Sequence, residues 1–262
     1  MDLGLAGKRA LVTGASEGVG RATVLVLAEE GCDVAFCARR QGPLDELARE
    51  VRDRFGRVAV PIVADLLELA DCERFVGDAA RGLGGIDLLV NNAGASVLGS
   101  LWAISDAAFF DGLDLKLRGY IRVARAAVPH MAERGGAIVN VAGNTGKFPY
   151  ANSMSGGAAN AGVMNFTVAL AQEVARQGIR VVCLAPGGIA TNRFVSQVVP
   201  NVARERGIPV EQAHENYVSS LPLGRIPTPE EVAGVIAFLA SDRCANATGT
   251  TLVYDGGITT GL

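Results

Sequence analysis

Short apolar runs alternate with longer stretches of helical periodicity along the whole chain. Residues 9–13, 33–38, 57–63, 86–90, 137–141, 179–184 and 250–254 read as strands. Residues 19–30, 44–55, 68–83, 105–131, 157–177 and 229–241 read as helices, the first ending at Gly31. Strands that are apolar throughout, each followed by a helix, predict a parallel sheet covered on both faces. The expected fold class is therefore α/β, a doubly wound Rossmann-type sheet of about seven strands, with residues 1–262 as one domain. The stretch 191–227 breaks the pattern. It carries Pro200, Pro209, Pro222, Gly207 and Gly224 around one short helical piece near 211–218. It follows a late strand, where ligand-facing loops of open α/β sheets lie, so it is expected to be a substrate lid.

Composition narrows the partners. Net charge is -3 and no Lys/Arg run exceeds two residues, which argues against nucleic acid. No run of ~20 apolar residues is present to cross a membrane. Five cysteines without a C-x-x-C pair read as free thiols in a reducing cytoplasm. The two histidines, His130 and His214, are too isolated for a zinc site. A cytoplasmic protein with a small-molecule substrate and no metal is expected.

The first strand runs into Thr13-Gly14-Ala15-Ser16-Glu17-Gly18-Val19-Gly20 and then into a helix. Gly14 permits a sharp turn, Gly18 removes a Cβ where a pyrophosphate must approach, and Gly20 lets helix and strand pack closely. The helix N-terminus adds unpaired N–H groups and a positive dipole. This loop predicts a dinucleotide seat. The second strand ends in Ala38, Arg39 and Arg40 rather than in an acid. Two guanidiniums favour a 2′-phosphate, hence NADP(H), with NAD(H) possible. Glu17, a carboxylate in the same loop, argues the other way.

These features resemble the short-chain dehydrogenase/reductase family in its compact single-domain form. The similarity extends from about Leu5 to Gly257. Asp65-Leu66 is similar to the family's adenine-side pair, and Asn91-Asn92-Ala93-Gly94 to its strand-end motif. Pro186, Gly187, Ile189 and Thr191 are similar to the segment that flanks the nicotinamide. The resemblance implies a seven-stranded parallel sheet, a nicotinamide cofactor, oxidation or reduction of a carbonyl/alcohol pair, and a homotetramer or dimer.

The resemblance also implies a Ser, a Tyr, a Lys and an Asn in the active site, and the chain departs from all four. Gly143 stands at the Ser position, Gly156 at the Tyr position, Asn160 at the Lys position and Lys116 at the Asn position. Glycine can neither donate a proton nor orient a carbonyl. Lys and Asn are exchanged, so Lys116 could supply the positive charge from the opposite wall. The alternative is drift in a dead site, with Lys116 solvated or paired to Asp111 or Asp114. Tyr150 is the candidate replacement acid, with Lys147 nearby and Tyr217 or His214 reaching in from the lid. Three readings stay open: an oxidoreductase with a relocated proton donor, a non-redox lyase or isomerase, and a cofactor-binding protein without turnover.

Overall fold

In a computed structural model, residues 2–94 and 98–260 are described. Seven parallel strands form one sheet: β1 (Arg9–Thr13), β2 (Asp33–Ala38), β3 (Ala59–Val63), β4 (Leu88–Asn91), β5 (Gly136–Val141), β6 (Ile179–Pro186) and β7 (Thr250–Tyr254). Their order is β3-β2-β1-β4-β5-β6-β7. The order reverses between β1 and β4, which opens a crevice at the carboxyl ends of the strands there.

Alternate residues of each strand feed opposite faces. Ala10, Val12, Val34, Phe36, Val90 and Val139 join one buried cluster. It packs under α1 (Gly18–Glu29), α2 (Gln41–Phe55) and α9 (Pro229–Ala240). Leu11, Ala35, Cys37, Leu89, Ile138 and Val181 join the other. That face is covered by α3 (Leu69–Leu83), α5 (Gly119–Met131) and α6 (Met154–Val174). Near-continuous apolar strands are what burial on both faces requires.

Two elements differ from the expectation. The stretch 105–131 is not one regular helix. α4 (Asp106–Leu113) passes into a π-helical turn, Asp114–Arg118, before α5 begins. Lys116 sits at the centre of that turn. The lid region is also more ordered than its prolines imply. It contains a π turn (Phe194–Val198), α7 (Val199–Arg206) and α8 (Val210–Ser220). Pro200 is the second residue of α7 and follows the π turn directly, so the helical run passes through it. α6 starts before Gly156 and Gly157, placing both in its first turns.

Candidate active site

A cavity of about 570 Å³ opens at the carboxyl ends of β4, β5 and β6 and is lined on one side by residues of the segment 191–227. Gly143, Tyr150, Gly156, Asn160, Pro186, Gly187, Ile189, Thr191, Val19, Asn92, Gly94 and Lys116 all line it. Residues scattered over 173 positions of sequence (19 to 191) are thus brought to one wall by the strand order.

The phosphate loop fits a dinucleotide on its own geometry. Gly14 and Gly18 have φ of +72° and +60°, the left-handed region that glycine tolerates. A Cβ on Gly14 would stand 2.7 Å from Ala93 Cα, and one on Gly20 would collide with the Gly14 carbonyl. The loop is held from the neighbouring strand. Thr13 Oγ1 accepts from the N–H groups of Asn92 (2.9 Å) and Ala93 (3.0 Å), while Asn92 Nδ2 donates to the Thr13 carbonyl (3.1 Å). Glu17, at the N-cap of α1, makes no side-chain cap, and no acid lies in the first turn. The amide N–H groups and the dipole there are left to an anion.

Arg39 and Arg40 are exposed at the end of β2, Arg40 as the N-cap of α2. Neither lines the cavity, and neither do Gly14, Ser16, Glu17, Gly18, Gly20, Asp65, Leu66 or Ala93. Leu66 is buried, and Asp65 Oδ1 accepts from the Leu67 N–H at 3.1 Å. Glu17 acts on Arg193 at the start of the lid, countering the desolvation that pulls that guanidinium's pKa down. Arg193 also reaches the Gly94 carbonyl (3.4 Å). A Cβ on Gly18 would stand 3.3 Å from Thr191 Cγ2. The lid therefore begins directly over the phosphate loop.

Lys116 is paired with neither Asp111 nor Asp114. Asp114 is engaged by Arg118 at 3.0 Å. The Lys116 ammonium instead points to the strand ends and donates to the Ala142 carbonyl at 3.1 Å. An ammonium has three N–H donors, so two directions remain toward the cavity. Desolvation brings its pKa from 10.5 to about 8, because burial disfavours the charged form. The π turn contributes to this placement: one extra residue per turn rotates the side chains off the helical register, a device frequent at functional sites.

Asn160 stands across the cavity and is buried. Its Nδ2 donates to Thr145 Oγ1 at 2.8 Å, and its Oδ1 has no partner among the described residues. Buried polar atoms are rarely left so. The atom is enclosed by protein, and a turn of the side chain would bring it to a hydroxyl donor in the cavity. Asn160 also accounts for Gly143. A Cβ at Gly143 would lie 2.7 Å from Asn160 Nδ2, although its φ of -163° is ordinary extended backbone. Space, not backbone strain, demands glycine there.

Of the replacement acids, Tyr150 lines the cavity and is 44% exposed. Tyr217 lines it too, and its hydroxyl accepts from the Gly188 N–H at 2.8 Å. Lys147 lies over the Phe148 ring (5.4 Å) and does not reach the cavity, nor does His214. Sequence reasoning missed Asn144, Thr145, Arg193 and Arg206. Arg193 and Arg206 carried a signal, as cations within the segment expected to be the lid. No group of three or more His, Cys, Asp or Glu side chains among the described residues could hold a metal. No described helix is long and apolar enough to cross a membrane.

With this geometry in place, known proteins can be compared. The sequence profile of the family described as short chain dehydrogenase matches residues 8–199. The chain belongs to the short-chain dehydrogenase/reductase family. It is 35% identical over 255 residues to a 3-oxoacyl-acyl-carrier-protein reductase of Thermotoga maritima, covering 97% of this chain and 98% of that one. It is 38% identical over 252 residues to cis-4-hydroxycyclohexanecarboxylate dehydrogenase of Sinomonas cyclohexanicum, covering 95% and 96%. The L-sorbose reductase of Gluconobacter frateurii, solved with NADPH and L-sorbose, superposes with a TM-score of 0.93 at 30% identity, covering 100% of both chains. The sheet order and the helices on both faces are those expected of this family.

Proposed function

We propose that this member of the family is an NADP(H)-dependent oxidoreductase of a carbonyl/alcohol pair in which Lys116 replaces the missing Tyr as the proton donor. The observation that carries the reading is the Lys116 ammonium at the cavity wall, with its pKa brought down to about 8. A group is an efficient general acid when its pKa lies near the working pH. The rival hydroxyl of Tyr217 is pushed up from 10.0 by burial. A phenol pushed further from the working pH is the poorer proton donor of the two. Strong perturbation of a cavity-lining group also favours turnover over cofactor binding alone.

A nicotinamide dinucleotide, when bound, supplies or accepts the hydride. The loop 13–20 and the N-terminus of α1 would hold its phosphates, and Asn92, Gly94, Pro186, Gly187, Ile189 and Thr191 would flank its nicotinamide end. Asn160 Oδ1 would accept from a ribose hydroxyl. Lys116 would hold the substrate oxygen through an N–H and pass it that proton as the carbon is reduced; the proton is replaced from water. In the reverse direction neutral Lys116 accepts the alcohol proton. Residues 191–227 would act as the lid. Preference for NADP(H) is supported by Arg39 and Arg40 at the β2 end, with Glu17 acting instead on Arg193. The same reading includes a homo-oligomer, dimer or tetramer, which light scattering checks.

Fluorescence titration with NADPH and NADH, followed by NADPH oxidation across a carbonyl panel, tests the proposal. Binding of NADPH with turnover of at least one carbonyl is expected. No binding of either dinucleotide would overturn it, and product formation with no change in NADPH absorbance would point to non-redox chemistry.

A further inference from the structure

The charge of the cavity is one-sided. Among the described residues its ionisable lining consists of Lys116, Arg193 and Arg206, with two tyrosines and no carboxylate. The chain as a whole carries -3, so the cavity is a cationic recess in an acidic protein. Low-dielectric walls with one sign of charge focus the field on whatever enters.

The three cations have different circumstances. Lys116 is at the strand ends, and Arg193 lies by the phosphate loop with Gly94 and Glu17. Arg206 is on the other side of the cavity, in the last turn of α7. It is exposed, and no acid pairs with it among the described residues. Its neighbour Glu205 does not line the cavity, and its carboxylate accepts at 3.0 Å from Nδ2 of Asn152, which does. The same lining includes Phe194, Val198, Val199 and Val202, from the segment that carries Arg206. The cavity thus combines a deep ammonium, an outer guanidinium and an apolar lining.

We infer that the substrate is an oxo-acid or hydroxy-acid with an apolar body, whose carboxylate is held by Arg206 while its reacting oxygen meets Lys116. This rests on the oxidoreductase reading above and specifies its substrate class. A planar guanidinium matches a carboxylate through paired N–H bonds. Phe194 and the lid valines exclude water from the carbon skeleton between the two polar ends. Arg206 touches substrate but none of the reacting atoms, so it sets specificity.

The test uses linear and cyclic oxo-acids, each paired with its primary amide. Calorimetry measures binding of each to the full chain, alone and saturated with NADP⁺. NADPH oxidation measures kcat/KM. The acid is expected to bind about tenfold tighter than its amide, with the advantage lost in Arg206→Gln. Where turnover occurs, Arg206→Gln raises KM for the acid about tenfold more than for the amide. Equal binding of acid and amide by the wild-type protein would overturn the inference, as would equal losses on both in Arg206→Gln. The arm without nucleotide reads the anion preference even if neither dinucleotide binds, so failure of the oxidoreductase reading is seen separately.

Discussion

Gly143 and Asn160 share one space: a Cβ on the first would stand 2.7 Å from the amide nitrogen of the second. The Asn160 side chain fills the place where a residue-143 hydroxyl would project, and Thr145 fixes it there. The side chains allowed at positions 143 and 160 are therefore coupled. Gly143→Ser is expected to destabilise the protein by about 1 kcal/mol, since the Asn160 amide must shift to admit the Cβ. Gly143→Ser combined with Asn160→Ala is expected to cost less than the sum of the two. A double-mutant cycle in urea measures this coupling. Strict additivity would show that the two sites do not meet.

The burial of Lys116 costs stability, whatever it contributes to the proposed chemistry. Its folded pKa of about 8 lies below the unfolded 10.5. Between those values the unfolded chain binds the extra proton, so stability rises with pH from about 8 to about 10.5. At neutral pH the buried ammonium is a cost. Lys116→Met is expected to stabilise the fold by about 1–2 kcal/mol at pH 7 after the lost bond to the Ala142 carbonyl is discounted. The gain should fade toward pH 10.5. Thermal melts of both proteins across that range check the trend; a gain unchanged from pH 7 to pH 10.5 would contradict it.

In the proposed reading Arg39 sets the cofactor preference. Arg39→Ala is expected to weaken NADPH about tenfold or more while NADH changes little, because a guanidinium–phosphate bond is charge-assisted. Equal losses for the two dinucleotides in fluorescence titration would remove Arg39 as the discriminator.

The closing helix tests the local physics of the fold apart from the site. Thr228 and Glu231 form a reciprocal capping box at the start of α9, with Pro229 in the first turn. Thr228→Ala should cost about 1 kcal/mol. The denaturant midpoint should fall with an unchanged slope, and a midpoint equal to wild type would count against the cap.

Much of this architecture was legible in the residues. The seven strands follow from apolar runs, and the glycine loop from its place between β1 and α1. Asn91–Gly94 and Gly143 are placed by the ends of β4 and β5, and Asn160 by the helix α6 that carries it. The π turn at 114–118 was not legible, because the apolar spacing of 105–131 fits a regular helix equally well. α7 was hidden by Pro200, whose helix-breaking character disappears at a first turn. The destination of Lys116 was open for a physical reason. Asp114 is two residues away in sequence, yet Arg118 occupies it. The π turn packs on α6, and from there the ammonium reaches the Ala142 carbonyl just past β5.

The account stands most directly on the pH profile of carbonyl reduction. With saturating NADPH, kcat/KM for a productive carbonyl should hold level below neutrality and fall above an apparent pKa near 8, as Lys116 loses its proton. Lys116→Met should lower the rate by roughly 10²–10⁴-fold and abolish that limb while still binding NADPH. A Lys116→Met enzyme with wild-type rate and the same limb near pH 8 would show that the proton comes from elsewhere.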